Sequence, residues 1–183
     1  MASLLFGICL PIGLLLCRNL LRTRIENLDE VEQLTKLPVL ANIPAIKETD
    51  ELGRAIVVRE NRNGLTEEAF RGLRTNMRFV LKPDEHVIMV TSCIPGEGKT
   101  FVASNLAMSI ALLGKKVIIV GLDVRKPRLI NLFKLKPSKQ GIVNFLCGSE
   151  SDYSLLEEQI IPSGINANMD VLPAGVIPPN PAE

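Results

Sequence analysis

Apolar and polar positions alternate along this chain in several distinct rhythms. Met1 to Cys17 carries no charged side chain, and Arg18, Arg22 and Arg24 follow at once. In "NLDEVEQLTKLPVLANIP" the apolar positions Leu28, Val31 and Leu34 recur at helical spacing behind Asp29, which predicts a short helix. A proline-bounded extended piece, Leu37 to Pro44, comes next. Residues 45–63 mix charges with little periodicity and read as a linker or loosely packed arm. "LTEEAFRGLRTNMRFVLKP" then predicts an amphipathic helix. Phe70, Leu73, Met77 and Val80 form its stripe, Thr66 is its cap, Glu67 and Glu68 suit its positive end, and Lys82-Pro83 stops it.

The rhythm changes again at "HVIMVTS", a continuous apolar run of strand length, as in a strand buried on both faces of a parallel sheet. A glycine-rich loop leads into a helix over residues 100–113, closed by Gly114. "KVIIVGLD" is a second buried strand. Strand, loop, helix, strand makes a right-handed crossover unit. Farther on, "GIVNFLCG" predicts a short helix between glycines, "YSLLEEQII" alternates weakly, and "MDVLPAG" reads as a third strand. The proline-rich tail "VIPPNPAE" excludes regular structure.

These elements divide the chain into an apolar segment (1–17), a juxtamembrane segment and linker (18–63) and a nucleotide-binding domain (64–183). As a helix the first spans about 25 Å at ~1.5 Å per residue, slightly under a ~30 Å hydrocarbon core. It lacks the leading positive charge of a signal peptide. Arginines on its C-terminal flank predict a membrane helix with the rest of the chain in the cytoplasm. The 183 residues, 21 of them basic and 20 acidic, sum to a net charge of +1. That balance supplies no global field for nucleic acid. Cys9, Cys17, Cys93 and Cys147 show neither metal nor pairing spacing and read as free thiols in a reducing compartment.

The chemistry sits in "SCIPGEGKT", residues 92–100. A phosphate loop needs inward backbone N–H groups, glycines where the chain approaches phosphate, a lysine for the terminal phosphates and a hydroxyl for Mg²⁺. Gly96 and Gly98 are the permissive positions, Lys99 the phosphate lysine and Thr100 the magnesium ligand. Pro95, Glu97 and Phe101 complete the candidate binding stretch. Cys93 stands where the pattern usually begins with glycine. Asp123, at the end of the second strand, is placed to hold magnesium-bound water or accept a proton, or else to shape the turn. Arg125 is a candidate for phosphate or for a local pair, and Lys126 for solvent. Arg71, Arg74 and Arg78 run beside the apolar stripe, with Glu68 three residues before Arg71, a spacing that by itself gives a solvated face with one weak ion pair.

Four stretches together resemble the bacterial tyrosine kinases of capsule and exopolysaccharide export, the cytoplasmic kinase domains attached to chain-length-determinant membrane proteins (polysaccharide co-polymerases). They are "SCIPGEGKTFVASNLA", "VIIVGLDVRKPRL", "EEAFRGLRTN" with its E-x-x-R-x-x-R (Glu68, Arg71, Arg74), and "LPAGVIPPNPAE". The "TKLPVLANIP" junction fits too. The resemblance implies a P-loop NTPase-like parallel sheet flanked by helices and preceded by a transmembrane helix at the bacterial inner membrane. It implies Mg·ATP-dependent autophosphorylation on tyrosine, with Lys99 and Asp123 as catalytic residues, in the service of polysaccharide polymerisation and export. It also implies a ring of copies joined through Glu68, Arg71 and Arg74, so that one subunit's tyrosines reach the next subunit's site.

Two departures stand out. The family's acidic motif reads D-x-D, whereas here it is Gly121-Leu122-Asp123. A later aspartate-ended strand and a tyrosine-rich tail are expected after the last residue, Glu183, and the sole tyrosine is Tyr153. The chain therefore reads as a fragment, truncated at its C-terminal end. The alternatives are a partitioning-type ATPase and a non-catalytic, nucleotide-gated assembly component. The former expects an extra lysine where Ile94 stands.

Overall fold

The computed structural model describes residues 28–45, 55–60, 63–136, 138, 140–147 and 156–176, with isolated positions (7, 11–14, 16, 17 and 25) before them. Most of segment 1–17 lies outside the described residues. Those of it that are described, 7, 11–14, 16 and 17, are helical, and among the described residues no helix is long and apolar enough to cross a membrane. Tyr153 and the tail from residue 177 also lie outside. The chain divides into two compact units at residues 39 and 40. In the first, α1 (Leu28–Thr35) forms as its periodicity predicts, with Asp29 and Glu30 in its first turn. It ends where Lys36 turns to a positive φ of 55°.

The second unit is built on two long helices, α2 (Leu65–Val80) and α3 (Lys99–Ala111), and a small sheet. Phe70, Leu73 and Met77 of α2 are buried as the stripe requires, but Val80 is 55% exposed, and Leu81, just past the helix end, packs against the core instead. The cap is Gly64, and the predicted cap Thr66 lies buried inside the first turn. Glu67, third in the helix, folds back over Gly64 so closely that a Cβ there would meet its carboxylate. Its charge thus faces the helix's positive end.

Helix α3 is apolar almost all round, with Ser104 to Ser109 and Ala111 buried. Gly114, at φ 75°, turns the chain off its end. Strand β1 (Val117–Val120) follows, then the short helices α4 (Leu129–Phe133) and α5 (Ile142–Cys147), and strands β2 (Ile161–Pro162) and β3 (Met169–Leu172). The sheet has the order β1-β3-β2: β3 is parallel to β1, pairing Val117 with Met169 and Val120 with Leu172, and antiparallel to β2. Phe70, Phe133, Met169 and Val171 are the large side chains at the centre of the core.

Three expectations are corrected. Residues 86–92 enter no ladder with any described strand, and Val87 and Met89 are 90% and 82% exposed. A β-branched run favours a pleated, half-buried surface, but only a partner edge makes it a strand. The crossover unit therefore lacks its first strand, and the sheet is mixed rather than parallel. Second, β1 is buried on one face only, with Ile118 and Val120 about half exposed and Ile119 inward. Third, part of the expected loose arm belongs to the core: Ile56, Val57 and Val58 are at most 3% exposed.

Gly141 and Gly175 allow two backbones to touch. Ile142 N–H donates to the Pro173 carbonyl and Val143 N–H to that of Ala174. A Cβ at Gly141 would overlap Gly175 N and Pro173 O, both backbone atoms that cannot swing aside. Gly141→Ala is expected to destabilise the fold by about 2–3 kcal/mol, read as a lower denaturation midpoint at unchanged slope.

Candidate functional site

Topology collects the candidate residues at one end of the sheet. Helix α3 runs from the loop to Gly114, and β1 returns beside it, so the C-terminal end of β1 lies at the level of the α3 N-terminus. Parallel pairing brings the C-terminal end of β3, Pro173 to Gly175, to the same level. Lys99 and Thr100, Asp123 and the 173–175 segment therefore share the edge where ligands gather in parallel sheets.

The loop itself has the backbone of an anion cradle. Gly96 and Gly98 adopt φ of 93° and 95°, a region closed to most side chains, and a Cβ on either would meet open space. The first intrahelical bond of α3 runs from Val102 N–H to the Gly98 carbonyl. The N–H groups of Lys99, Thr100 and Phe101 therefore point out of the helix start, at its positive end. Cys93, Pro95 and Glu97 are exposed, while Lys99 and Thr100 are half-buried. The Glu97 carboxylate accepts from Ile94 N–H at 3.1 Å, and Ser92 Oγ donates to the Ile94 carbonyl at 3.0 Å. These two bonds hold the 92–97 turn closed with Cys93 in the place of the usual glycine. Lys99 Nζ donates to Ser92 Oγ at 2.9 Å. Ser92 has no part in the sequence reading; its signal is its place at the loop's entry, seven residues before the lysine.

Phe101 turns its ring away from the loop. It packs edge-on against Phe70 of α2, centroids 5.8 Å apart at 62°, so what it offers a ligand is its N–H. Asp123 is exposed, and its Oδ1 accepts from Lys126 N–H at 3.1 Å. This is the turn-shaping role, and it leaves Oδ2 for another partner. Arg125 is exposed in the same turn. A Cβ at Gly121 would come within 3.1–3.2 Å of Leu129 Cδ1 and Ala174 N. A side chain in the place of the family's first aspartate would need Leu129 or Ala174 to move by a few tenths of an ångström. Among the described residues no three His, Cys, Asp or Glu side chains cluster as a metal site. The Thr100 hydroxyl and the Asp123 carboxylate are hard oxygen donors, which suits Mg²⁺, an ion that takes few protein ligands beside phosphate and water.

The two arginines of the E-x-x-R-x-x-R helix part company. Arg71 stays on the outer face, with Nε 3.1 Å from Glu68 Oε2, off the hydrogen-bond axis, and one NH2 group bonded to Asn63 Oδ1 at 2.9 Å. Arg74 turns inward and donates through one nitrogen to the Ser109 carbonyl and, at 3.2 Å, to Ser109 Oγ, joining α2 to α3. Burial first, then repulsion from Arg71 and Arg78, pushes its pKa below the usual arginine value. Asn105, fully buried on α3, also escaped the sequence reading. A polar residue in a helix with no polar face is the signal that would have found it.

No family model matches the chain. It is 34% identical to a tyrosine-protein kinase of the cps region of Klebsiella pneumoniae, across the whole of this chain and 26% of that protein. It is 36% identical to the tyrosine-protein kinase YwqD of Bacillus subtilis, across 71% of this chain and 53% of the relative. The kinase domain of the Escherichia coli tyrosine kinase ETK superposes with a TM-score of 0.73 at 29% identity, covering 87% of this chain and 64% of that one. The chimerical protein CapA2B2 does so with a TM-score of 0.68 at 35% identity, covering 85% and 63%. The chain thus spans about a quarter of the length of the first of these curated relatives.

The two arginines should respond differently to truncation. Arg74→Ala should cost about 1–3 kcal/mol, because it removes charge-assisted bonds from a part-buried site. Arg71→Ala should change stability by no more than about 0.5 kcal/mol. Urea denaturation of the two variants measures both.

Proposed function

The chain belongs to the family of bacterial tyrosine kinases of capsule and exopolysaccharide loci, and on that footing we propose that it is the nucleotide-binding part of a protein-tyrosine autokinase using Mg·ATP. The observation that carries the reading is the loop: two glycines at positive φ, three outward N–H groups and Lys99 side by side at a helix start.

In this reading the N–H groups from Gly96 to Phe101 wrap the β- and γ-phosphates. Lys99 exchanges its bond to the neutral Ser92 hydroxyl for bonds to phosphate in which donor and acceptor are both charged. The acceptor is a tyrosine hydroxyl. Its oxygen forms a bond to the γ-phosphorus, the bond to the β–γ bridging oxygen breaks, and ADP leaves with that electron pair. The phenolic proton passes to Asp123 through its open Oδ2. Mg²⁺ would be held by the Thr100 hydroxyl and, through a bound water, by Asp123, and would supply neutralisation of phosphate charge. With Gly121 in place of a first carboxylate, the acidic role falls on Asp123 or is shared with residues elsewhere in the chain.

The partner is a second copy of the chain in a ring, docked through the outer face of α2. Glu68 is exposed on that face with Arg71 half-buried beside it, whereas Arg74 serves the ring by holding α2 to α3. We infer from the apolar start and its trailing arginines that the domain faces the cytoplasm below a membrane helix, beside the polysaccharide polymerisation and export machinery.

Titration calorimetry should detect weak Mg·ATP uptake that Lys99→Ala weakens at least about tenfold. Labelled phosphate from ATP should enter the 183-residue chain only slightly, because residues 86–92 lie outside the sheet. A chain extended through a further strand and a tyrosine-rich tail should label strongly. Robust labelling of the short chain at Tyr153 refutes this account.

A further inference from the structure

The segment Ala55–Val58 enters no ladder with a described strand, yet three of its residues are buried. One side chain bonds three of its backbone groups. Asn105 Oδ1 accepts from Val57 N–H at 2.8 Å and from Val58 N–H at 3.1 Å, and Nδ2 donates to the Ala55 carbonyl at 3.0 Å. Its remaining amide hydrogen goes to the Phe101 carbonyl at 2.9 Å. Two lone-pair sites and two N–H groups are the whole hydrogen-bonding capacity of the amide, and all four are engaged.

The fourth bond matters for function. Phe101 follows Thr100 in the first turn of α3, the turn that carries the phosphate lysine and the magnesium hydroxyl. One rigid, planar amide thus grips the docked segment and the nucleotide-facing turn together. We propose that Asn105 is a positioning residue that couples nucleotide occupancy to the docking of residues 55–58 on α3. The inference rests on the nucleotide reading and extends it: the chain leading into α2 senses the state of the loop. If the bound phosphates bias the first turn, the bias reaches Val57 and Val58 through the Asn105 plane. By reciprocity, the docked segment must favour the nucleotide by the same factor.

Hydrogen exchange on the whole chain tests this, with Mg·ADP and Mg·ATP as the probes. Nucleotide should slow exchange at the Val57 and Val58 amides at least about fivefold, and Asn105→Ala should both abolish that slowing and weaken nucleotide binding by a similar factor. A role confined to packing would leave the exchange at 57–58 indifferent to nucleotide. If nucleotide binds in a Lys99-dependent way and the two amides do not respond, the coupling is refuted while the nucleotide site stands. If no Lys99-dependent binding occurs, the site and the coupling fall together. Should Asn105→Ala not fold, the wild-type exchange measurement alone decides.

Discussion

A helix buried on nearly every side has few ways to satisfy its polar atoms, and α3 organises this protein through the partners it does find, although Ser104 Oγ stays buried without one. Its Asn105 amide stands in for the missing edge of a strand, and its Ser109 carbonyl receives Arg74 from α2. Leaving such groups unpaired in the interior costs about 1–3 kcal/mol each, a large share of a domain's net stability. The helix that opens at the phosphate loop is therefore tied to the segment before α2 and to α2 itself. Phe70, packed against Phe101, adds an apolar tie at the loop end of the same helix.

Close backbone contacts line the C-terminal end of β3. Gly141 and Gly175 let the start of α5 touch the chain after β3, where neighbouring peptide groups leave no room for a Cβ. Gly121 lies against the same segment, and a side chain there would have to shift Leu129 or Ala174 by a few tenths of an ångström. In Asp123, two residues on, the turn bond to Lys126 fixes one carboxylate oxygen and leaves the other available.

The motif helix takes on two tasks in this fold. Arg71 and Arg74 are three residues apart and read alike in the sequence, yet they diverge because α3 passes beneath only one of them. An arginine whose guanidinium meets a helix carbonyl acts as a strut between elements. One beside an exposed glutamate remains available to a neighbour.

Local chemistry made much of this legible. The 3.6-residue period of α2, the Gly96–Gly98–Lys99–Thr100 order, the stop at Gly114 and the β-branched run of β1 each follow from forces acting within a few residues, so they could be read directly. Tertiary context decided the remainder. Whether residues 86–92 became a strand depended on a partner edge, and burial of Ile56–Val58 depended on an amide some 50 residues away. The direction of Arg74 and the closure around Gly121 depended on which elements lay alongside. Periodicity and turn preference act along the chain, whereas ladders, buried polar bonds and steric closure form between distant segments, and only the fold brings those together.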